Sequence, residues 1–380
     1  MTQPLTLDAL LTRAASERAS DVHLTADRPP LIRVDGALVP VPGIEFGLPA
    51  DWLDAVLRGI LSTDQAREFD DHGEVDLAYS VDGVGRFRVN VFRQLGHTAV
   101  ALRLISTRAF SLAELGAPEI ARDLALRPRG LVLVTGPTGS GKSTTLTAMV
   151  DIINETRPAH IVTLEDPVEF QHTSKRSLVH QREIGSDTRS FAEALRRVLR
   201  QDPDVILVGE LRDPESIQTA LSAAETGHLV LSTLHTQGAA KSINRIIDAF
   251  PAHQQNQVRT QLGDTLQGVL SQSLLPLAQK NGRTIATEVL VNTPAVANLI
   301  REGQVAQLYS AMQAGSGQGM HTLDQDLKRL VSEGIVSQQV ARTYAADPRD
   351  LDDVRVRPRE LDADAWTMHA DEHKTLGWTQ

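Results

Sequence analysis

The stretch LVLVTGPTGSGKSTTLT, residues 131–147, constrains the fold more than any other. A nearly unbroken apolar run, Leu131 to Thr135, leads into GPTGSGKS (136–143), which fits G-x-x-x-x-G-K-[ST], and a segment of helical spacing follows. Strand, glycine-rich loop and helix in that order form a phosphate cradle. The glycines let backbone N–H groups turn into the loop, and the helix N-terminus adds the positive end of its dipole. The expected nucleotide-binding residues are Gly136, Pro137, Thr138, Gly139, Ser140, Gly141, Lys142, Ser143 and Thr144. Lys142 is placed to bridge the β- and γ-phosphates of ATP, and Ser143 to ligate Mg²⁺.

Three further apolar runs, HIVTLE (160–165), VILVG (205–209) and HLVLSTLH (228–235), have the texture of strands buried on both faces of a parallel sheet. Helical segments separate most of them. In SFAEALRRVL, Phe191, Ala194, Leu195, Val198 and Leu199 share a face, and Ser190 with Glu193 predicts a capping box. Asp213-Pro214 reads as a cap and first-turn proline of a helix that stops at Gly227. The fold class expected is α/β, a doubly wound core on a central parallel sheet.

Side chains at the C-terminal edge of such a sheet face the ligand crevice. Glu165, Asp166 and Glu169 lie there in TLEDPVEF, where a carboxylate can orient a water or a hydrated magnesium ion. Glu210 follows the run 205–209, at a place where related strands commonly carry Asp. Its longer side chain can reach a metal-bound or attacking water, which makes it both a catalytic and a metal-site candidate. His228 and His235 bracket their strand, and His235, at the ligand end, is the better candidate for sensing the γ-phosphate.

The first hundred residues have a different texture. LIRVDGALVPV reads as a hairpin turned at Asp35-Gly36, and EVDLAYSV, GRFRVNVF and TAVALRLI as three more strands. LDALLTRAASERA and DWLDAVLRGIL have helical spacing. These predict a small α+β domain over 1–107, a connector over 108–129, the ATPase core over 130–347 and a charged, mobile tail over 348–380. In GRFRVN, Arg86, Arg88 and Asn90 alternate with Phe87, Val89 and Val91, and Arg103 lies on the next strand. Such arginines either face solvent or reach a neighbouring molecule's ATP as arginine fingers. His369 and His373 are spaced i, i+4, but Asp371 and Glu372 between them do not make an H-E-x-x-H order, so no metal site is expected there.

A net charge of -10 argues against wholesale nucleic-acid or anionic-membrane binding. The chain has no Cys, which excludes disulfides and thiolate metal sites and fits a reducing compartment. The first twenty residues carry acids without a continuous apolar region, so they do not read as a signal peptide. No run of about 18 apolar residues occurs. A cytoplasmic protein is expected.

LRQDPDVILVGELRD (199–213), following the P-loop and EDPVE in that order, resembles the signature of the secretion ATPases of type II secretion, type IV pili and type IV secretion. The resemblance extends to about residue 348. GRFRVN, RGLVLVTGPTGSGKSTT, EDPVEF, QREIG, AAETGHLVLSTLHT and NLIRE are similar to segments of the pilus retraction ATPases within that superfamily. It implies a PAS-like N-terminal domain, a RecA-like ATPase domain and a homohexameric ring with ATP between the domains. It further implies that Glu165 belongs to an acidic box, that Glu210 is the Walker B glutamate, and that His228 and His235 form a histidine box. Arg88 and Arg103 would then complete the catalytic set with Glu165, Glu210 and His235.

The partners implied are an inner-membrane pilus platform protein at the cytoplasmic face and a second related retraction ATPase. Extension and type II secretion relatives often carry a paired-cysteine insertion that is missing here, which favours retraction over those alternatives. Residues 295–302 read AVANLIRE where retraction ATPases typically resemble AIRNLIRE, so Ala297 stands in place of an arginine, on a helix capped by Thr293 with Pro294 in its first turn. A reading of another class is a nucleic-acid-dependent RecA-like translocase, which the acidic balance disfavours. A further one is a non-hydrolysing accessory subunit, against which the complete acid set argues.

Overall fold

The computed structural model describes residues 5–34, 36–105, 109–279 and 282–356. The turn residue Asp35, the domain boundary expected at 107, the tail from 357 on, and His369 and His373 lie outside them. The chain divides into two compact units, 1–110 with 147–210 and 111–146 with 211–380.

The N-terminal part of the first unit runs α1 (Leu7–Ser16), β1 (Asp21–Thr25), β2 (Leu31–Val34), β3 (Ala37–Pro40), α2 (Ala50–Ile60), α3 (Thr63–His72), β4 (Glu74–Val81), β5 (Gly85–Gln94) and β6 (His97–Leu104). Its strands form one antiparallel sheet in the order β3-β2-β1-β6-β5-β4. The hairpin and the three later strands stand where the alternation predicts them. β1 is additional and lies between β2 and β6.

Alternation decides which face is buried. Phe87, Val89 and Val91 turn into a core with Leu10, Leu11, Leu24, Ile32, Leu53 and Leu102, while Arg88 between them is exposed. Each such fully buried side chain contributes about 1.5–3 kcal/mol of transfer free energy. α1 buries Leu7, Leu10, Leu11 and Ala14, an i, i+3, i+4, i+7 stripe, and is capped by Thr6. α3 carries a complete capping box, Ser62 with Gln65, and ends at Gly73 in the left-handed region (φ 79°). At the far edge β3 is short, exposed along its whole length, and ends in Pro40.

In chain order there follow α4 (Ile120–Ala125), β7 (Gly130–Thr135), α5 (Lys142–Thr156), β8 (His160–Glu165), β9 (Leu178–Glu183), α6 (Phe191–Val198) and β10 (Val205–Val208). Then come α7 (Pro214–Glu225), β11 (Leu229–Leu234), α8 (Ala239–Asp248), α9 (Ala252–Thr265), β12 (Leu266–Pro276) and β13 (Arg283–Val291). The chain closes with α10 (Pro294–Arg301), α11 (Leu308–Ala314), α12 (Leu323–Ser332) and α13 (Gln338–Tyr344).

In the first unit β10, β8 and β9 run parallel. In the second, β7 lies between β11 and β12, parallel to both, and β13 pairs antiparallel with β12. Every residue of β7, β10 and β11 is buried, as their unbroken apolar runs predict. β9, β12 and β13 are strands beyond those read from the sequence.

Two caps differ in an instructive way. Asp213 caps α7 through Ser216 N at 2.8 Å with Pro214 at the first turn, as expected. Ser190 caps α6 through Glu193 N, but the Glu193 carboxylate does not close a capping box: it pairs with Arg197 at 2.6 Å, one turn on. The i, i+4 ion pair takes the side chain that the box needs.

α10 is capped by Thr293 as predicted, and Ala297 is buried on it. A β-carbon at Gly263 of α9 would come within 3.1 Å of Ala297 O, so the two helices pack with their backbones close. Residues 348–351 form a short 3-10 turn whose Leu351 is fully buried with Leu327, Leu330 and Val336.

Candidate active site

The phosphate loop lies in the second unit, between β7 and α5. Gly136, Gly139 and Gly141 have φ of 145°, 78° and 88°, conformations open to glycine and costly for other residues. At Gly136 the demand is also steric, because a β-carbon there would collide with Gln272 O. Thr138, Gly139 and Ser143 are exposed, whereas Ser140 and Lys142 are buried. Lys142 Nζ donates to Gly136 O and Pro137 O, both at 2.9 Å, which places its charge inside the loop. The loop geometry and this ammonium suit a polyphosphate.

Gln272 of β12 secures the loop from behind. Its Nε2 donates to Ser140 O at 2.7 Å, and its Oε1 accepts from Thr145 Oγ1 at 3.0 Å. The side chain is 1% exposed, and an amide so buried is retained where both its ends are bonded. The only sequence signal for it is the polar triplet Ser271-Gln272-Ser273 between apolar residues in GVLSQSLL, which does not by itself point to the loop. At the end of β7, Thr135 accepts from Ser242, which also meets Thr236 at 2.7 Å.

His235 follows β11 and comes to the loop: its Nδ1 lies 3.5 Å from Thr138 Oγ1. His228 sits at the other end of β11, where its Nδ1 lies 3.0 Å from Ala223 O and 3.3 Å from Thr226 Oγ1 at the end of α7. The two histidines therefore have separate surroundings, and of the pair only His235 is at the phosphate loop.

The carboxylates lie in the first unit. Glu165 ends β8, and its Oε1 accepts from Thr163 Oγ1 at 2.6 Å and Gln181 Nε2 at 3.2 Å. Protein surrounds the carboxyl on most sides. This desolvation, with the nearby Glu169 charge, raises its pKa above the ordinary carboxylate value despite these two hydrogen bonds and one from the Glu169 backbone, which act the other way. Asp166 and Glu169 are exposed on the loop that follows. Glu210 lies just beyond β10 and is partly buried, while Gly209 N donates to Leu164 O at 2.8 Å, so the strand end carrying Glu210 is tied to β8 next to Glu165.

His172, at the end of the acidic loop, is half-buried with its ring edge-on to the Phe170 ring, and this desolvation depresses its pKa to about 4. A depressed folded pKa supplies stability above the unfolded value of 6.5 and loses it as pH falls through about 4. At about 1.4 kcal/mol per pH decade, that window is worth roughly 3 kcal/mol. Urea unfolding of His172→Phe between pH 7 and 4 should show that much less acid destabilisation than the parent.

Arg88 and Arg103 are direct cross-strand neighbours on β5 and β6, so the structure brings this pair together. They line a groove of about 310 Å³ with Asp21, His23, Asp76 and Asn90. Arg103 Nε donates to Asp21 at 2.8 Å. Burial would raise the Asp21 carboxyl, but hydrogen bonds from Ser20 and Arg103 with the Arg103 charge outweigh it and hold the group below its ordinary value. Asp21 thus holds the Arg103 guanidinium beside Arg88, with Arg33 3.9 Å from its other oxygen, a role that the strand alternation alone does not reveal. Arg86 departs from its two neighbours and approaches Glu183 at 3.8 Å.

Comparison with known proteins accords with this geometry. The family described as "Type II/IV secretion system protein" matches residues 2–346. The "Type IV pilus retractation ATPase PilT" of Pseudomonas aeruginosa is 49% identical over 344 residues, 90% of this chain and 98% of that protein. A "Twitching motility protein" of Neisseria gonorrhoeae is 48% identical over 85% of this chain and 86% of its own length. Among solved structures, the pilus retraction motor PilT with bound ADP is 45% identical, has a TM-score of 0.84, and is matched over 91% of this chain and 99% of that one. The α+β N-terminal part and RecA-like core expected from the sequence are therefore the family's architecture, and the chain belongs to the type II/IV secretion system protein family.

Proposed function

We propose that this chain is an ATP-hydrolysing motor subunit that powers type IV pilus retraction, working as a homohexamer on an inner-membrane platform protein from the cytoplasmic side. A second related retraction ATPase is a further partner. The observation that carries the reading is the phosphate loop with Lys142 held inside it, in a chain similar to a named pilus retraction ATPase along nearly its whole length. No helix among the described residues is long and apolar enough to cross a membrane.

In this reading residues 1–107 supply the arginine-bearing domain, 108–129 the connector, 130–347 the ATPase domain and 348–380 a charged tail. Lys142 and the amides of 136–144 hold the phosphates of ATP. The donor set suits Mg²⁺, a hard cation that takes one or two protein oxygens beside substrate phosphates: the Ser143 hydroxyl and the Glu210 carboxylate would hold it. When bound, Mg²⁺ neutralises charge on the β- and γ-phosphate oxygens. Glu165 takes a proton from the attacking water, Glu210 orients that water, and His235 reports the γ-phosphate through Thr138. Arg88 and Arg103 stabilise charge on the transferring phosphoryl group.

Pilus extension and type II secretion are the alternatives within the family. A deletion strain separates them: cells should remain piliated but lose retraction force and twitching. Loss of surface pili on deletion would assign the chain to extension instead. ATPase stimulation by DNA would support the translocase alternative.

A further inference from the structure

The motif QREIG (181–185) has no role in the mechanism above, yet two of its side chains, Gln181 and Glu183, converge on the acidic loop. β9 runs parallel to β8 with Gln181 opposite Thr163 and Glu183 opposite Glu165. Gln181 and Glu183 lie two residues apart and so project from one face of β9. The Gln181 amide is used at both ends. Its Nε2 donates to Glu165 Oε1 at 3.2 Å and to Phe170 O at 2.7 Å, and its Oε1 accepts from His172 N at 2.7 Å. Turning the amide over would set an oxygen against two acceptors and an NH₂ against an N–H, so one orientation alone satisfies the set. Glu183 Oε2 accepts from Val168 N at 3.1 Å, in the middle of the same loop, and Glu183 N is itself held by Asp187 at 2.8 Å.

We infer that Gln181 is a positioning residue for hydrolysis: it aims Glu165 and fixes the loop 166–172, with Glu183 fastening that loop at Val168. The inference rests on the reading of Glu165 as the carboxylate that takes the proton from water. Thr163 and Gln181 approach the same oxygen, Oε1. Together with the hydrogen bond from the Glu169 backbone they hold the carboxylate in one orientation, and a carboxylate so held keeps a fixed direction toward an attacking water. A small loss of aim at a reacting centre costs up to about 10²-fold in rate.

The test is steady-state ATPase kinetics of the full chain carrying Gln181→Met, beside Glu165→Gln and the parent, with ADP affinity and thermal midpoint as controls for folding. Gln181→Met should lower kcat by about 10- to 100-fold while KM for ATP and Kd for ADP stay within about twofold. A parental kcat, or a loss appearing in KM alone, overturns the inference. If Gln181→Met does not fold, Gln181→Glu decides: it still accepts from His172 N but, at a pH alkaline enough to ionise both carboxyls, offers no donor to Glu165 or Phe170 O, and the same fall in kcat is expected there. A parental kcat in that variant is equally fatal. Glu165→Gln separates the two levels: parental activity there refutes the role given to Glu165 itself, whereas its loss together with an unaffected Gln181→Met refutes only the positioning.

Discussion

Lys142→Ala should lower kcat for ATP hydrolysis by about 10²–10³-fold, the usual cost of removing one preorganised donor aimed at developing charge. The loop itself should survive, because its shape rests on groups other than the lysine: glycine conformations at 136, 139 and 141 and the Gln272 amide behind Ser140. Thermal unfolding of the variant should therefore stay near that of the parent, and ADP affinity should weaken. Colorimetric phosphate release and nucleotide titration measure both. An unchanged kcat would remove the loop from the reaction.

The larger effect is expected at the carboxylate. Glu165→Gln keeps the shape and an oxygen for Thr163 but cannot take a proton, and loss of general-base catalysis costs about 10²–10⁴-fold in kcat. Two pH dependences accompany it. Because desolvation and the neighbouring Glu169 charge raise the Glu165 pKa, the acid limb of kcat in the parent should lie above the range of an ordinary carboxylate. For stability the sign is opposite to that of His172. A carboxyl whose folded pKa is raised contributes stability that is complete below its unfolded pKa and is lost as pH rises through the folded value. Glu165→Gln removes that loss, so its stability relative to the parent should increase with pH even as activity vanishes. Glu210→Gln provides the contrast: if the acid limb belongs to Glu165, it should stay in place when Glu210 is changed and only the height of the profile should fall.

What was legible in the sequence followed local periodicity and backbone demand. The run 131–135 could only be a doubly covered strand, and GPTGSGKS could only be a loop opening a helix, so β7, the loop and α5 stand where expected. The alternation in GRFRVNVF likewise fixed which side chains of β5 are buried. β9 escaped because LVHQRE at a sheet edge has little apolar content for a pattern to display. The holding contacts escaped for a different reason. Gln181 meets Glu165 across 16 residues and Gln272 meets Thr145 across 127, and no local spacing encodes such a meeting. Where two local rules competed, as at Glu193, the sequence named the cap correctly but not the partner of the carboxylate, since box and ion pair use the same atoms.

The outermost strand β3 has a bearing on how the chain behaves in a crowded solution. Leu38 and Val39 are 48% and 38% exposed there, and an open edge with apolar side chains is a template onto which stray strands can zip. β3 offers such a strand very little. It is four residues long, and its final residue, Pro40, has no N–H to give, so any added ladder runs out within a few rungs. Brevity and a proline thus act as a built-in guard against fibrillar stacking, at a border of this sheet where exposed apolar side chains would invite it.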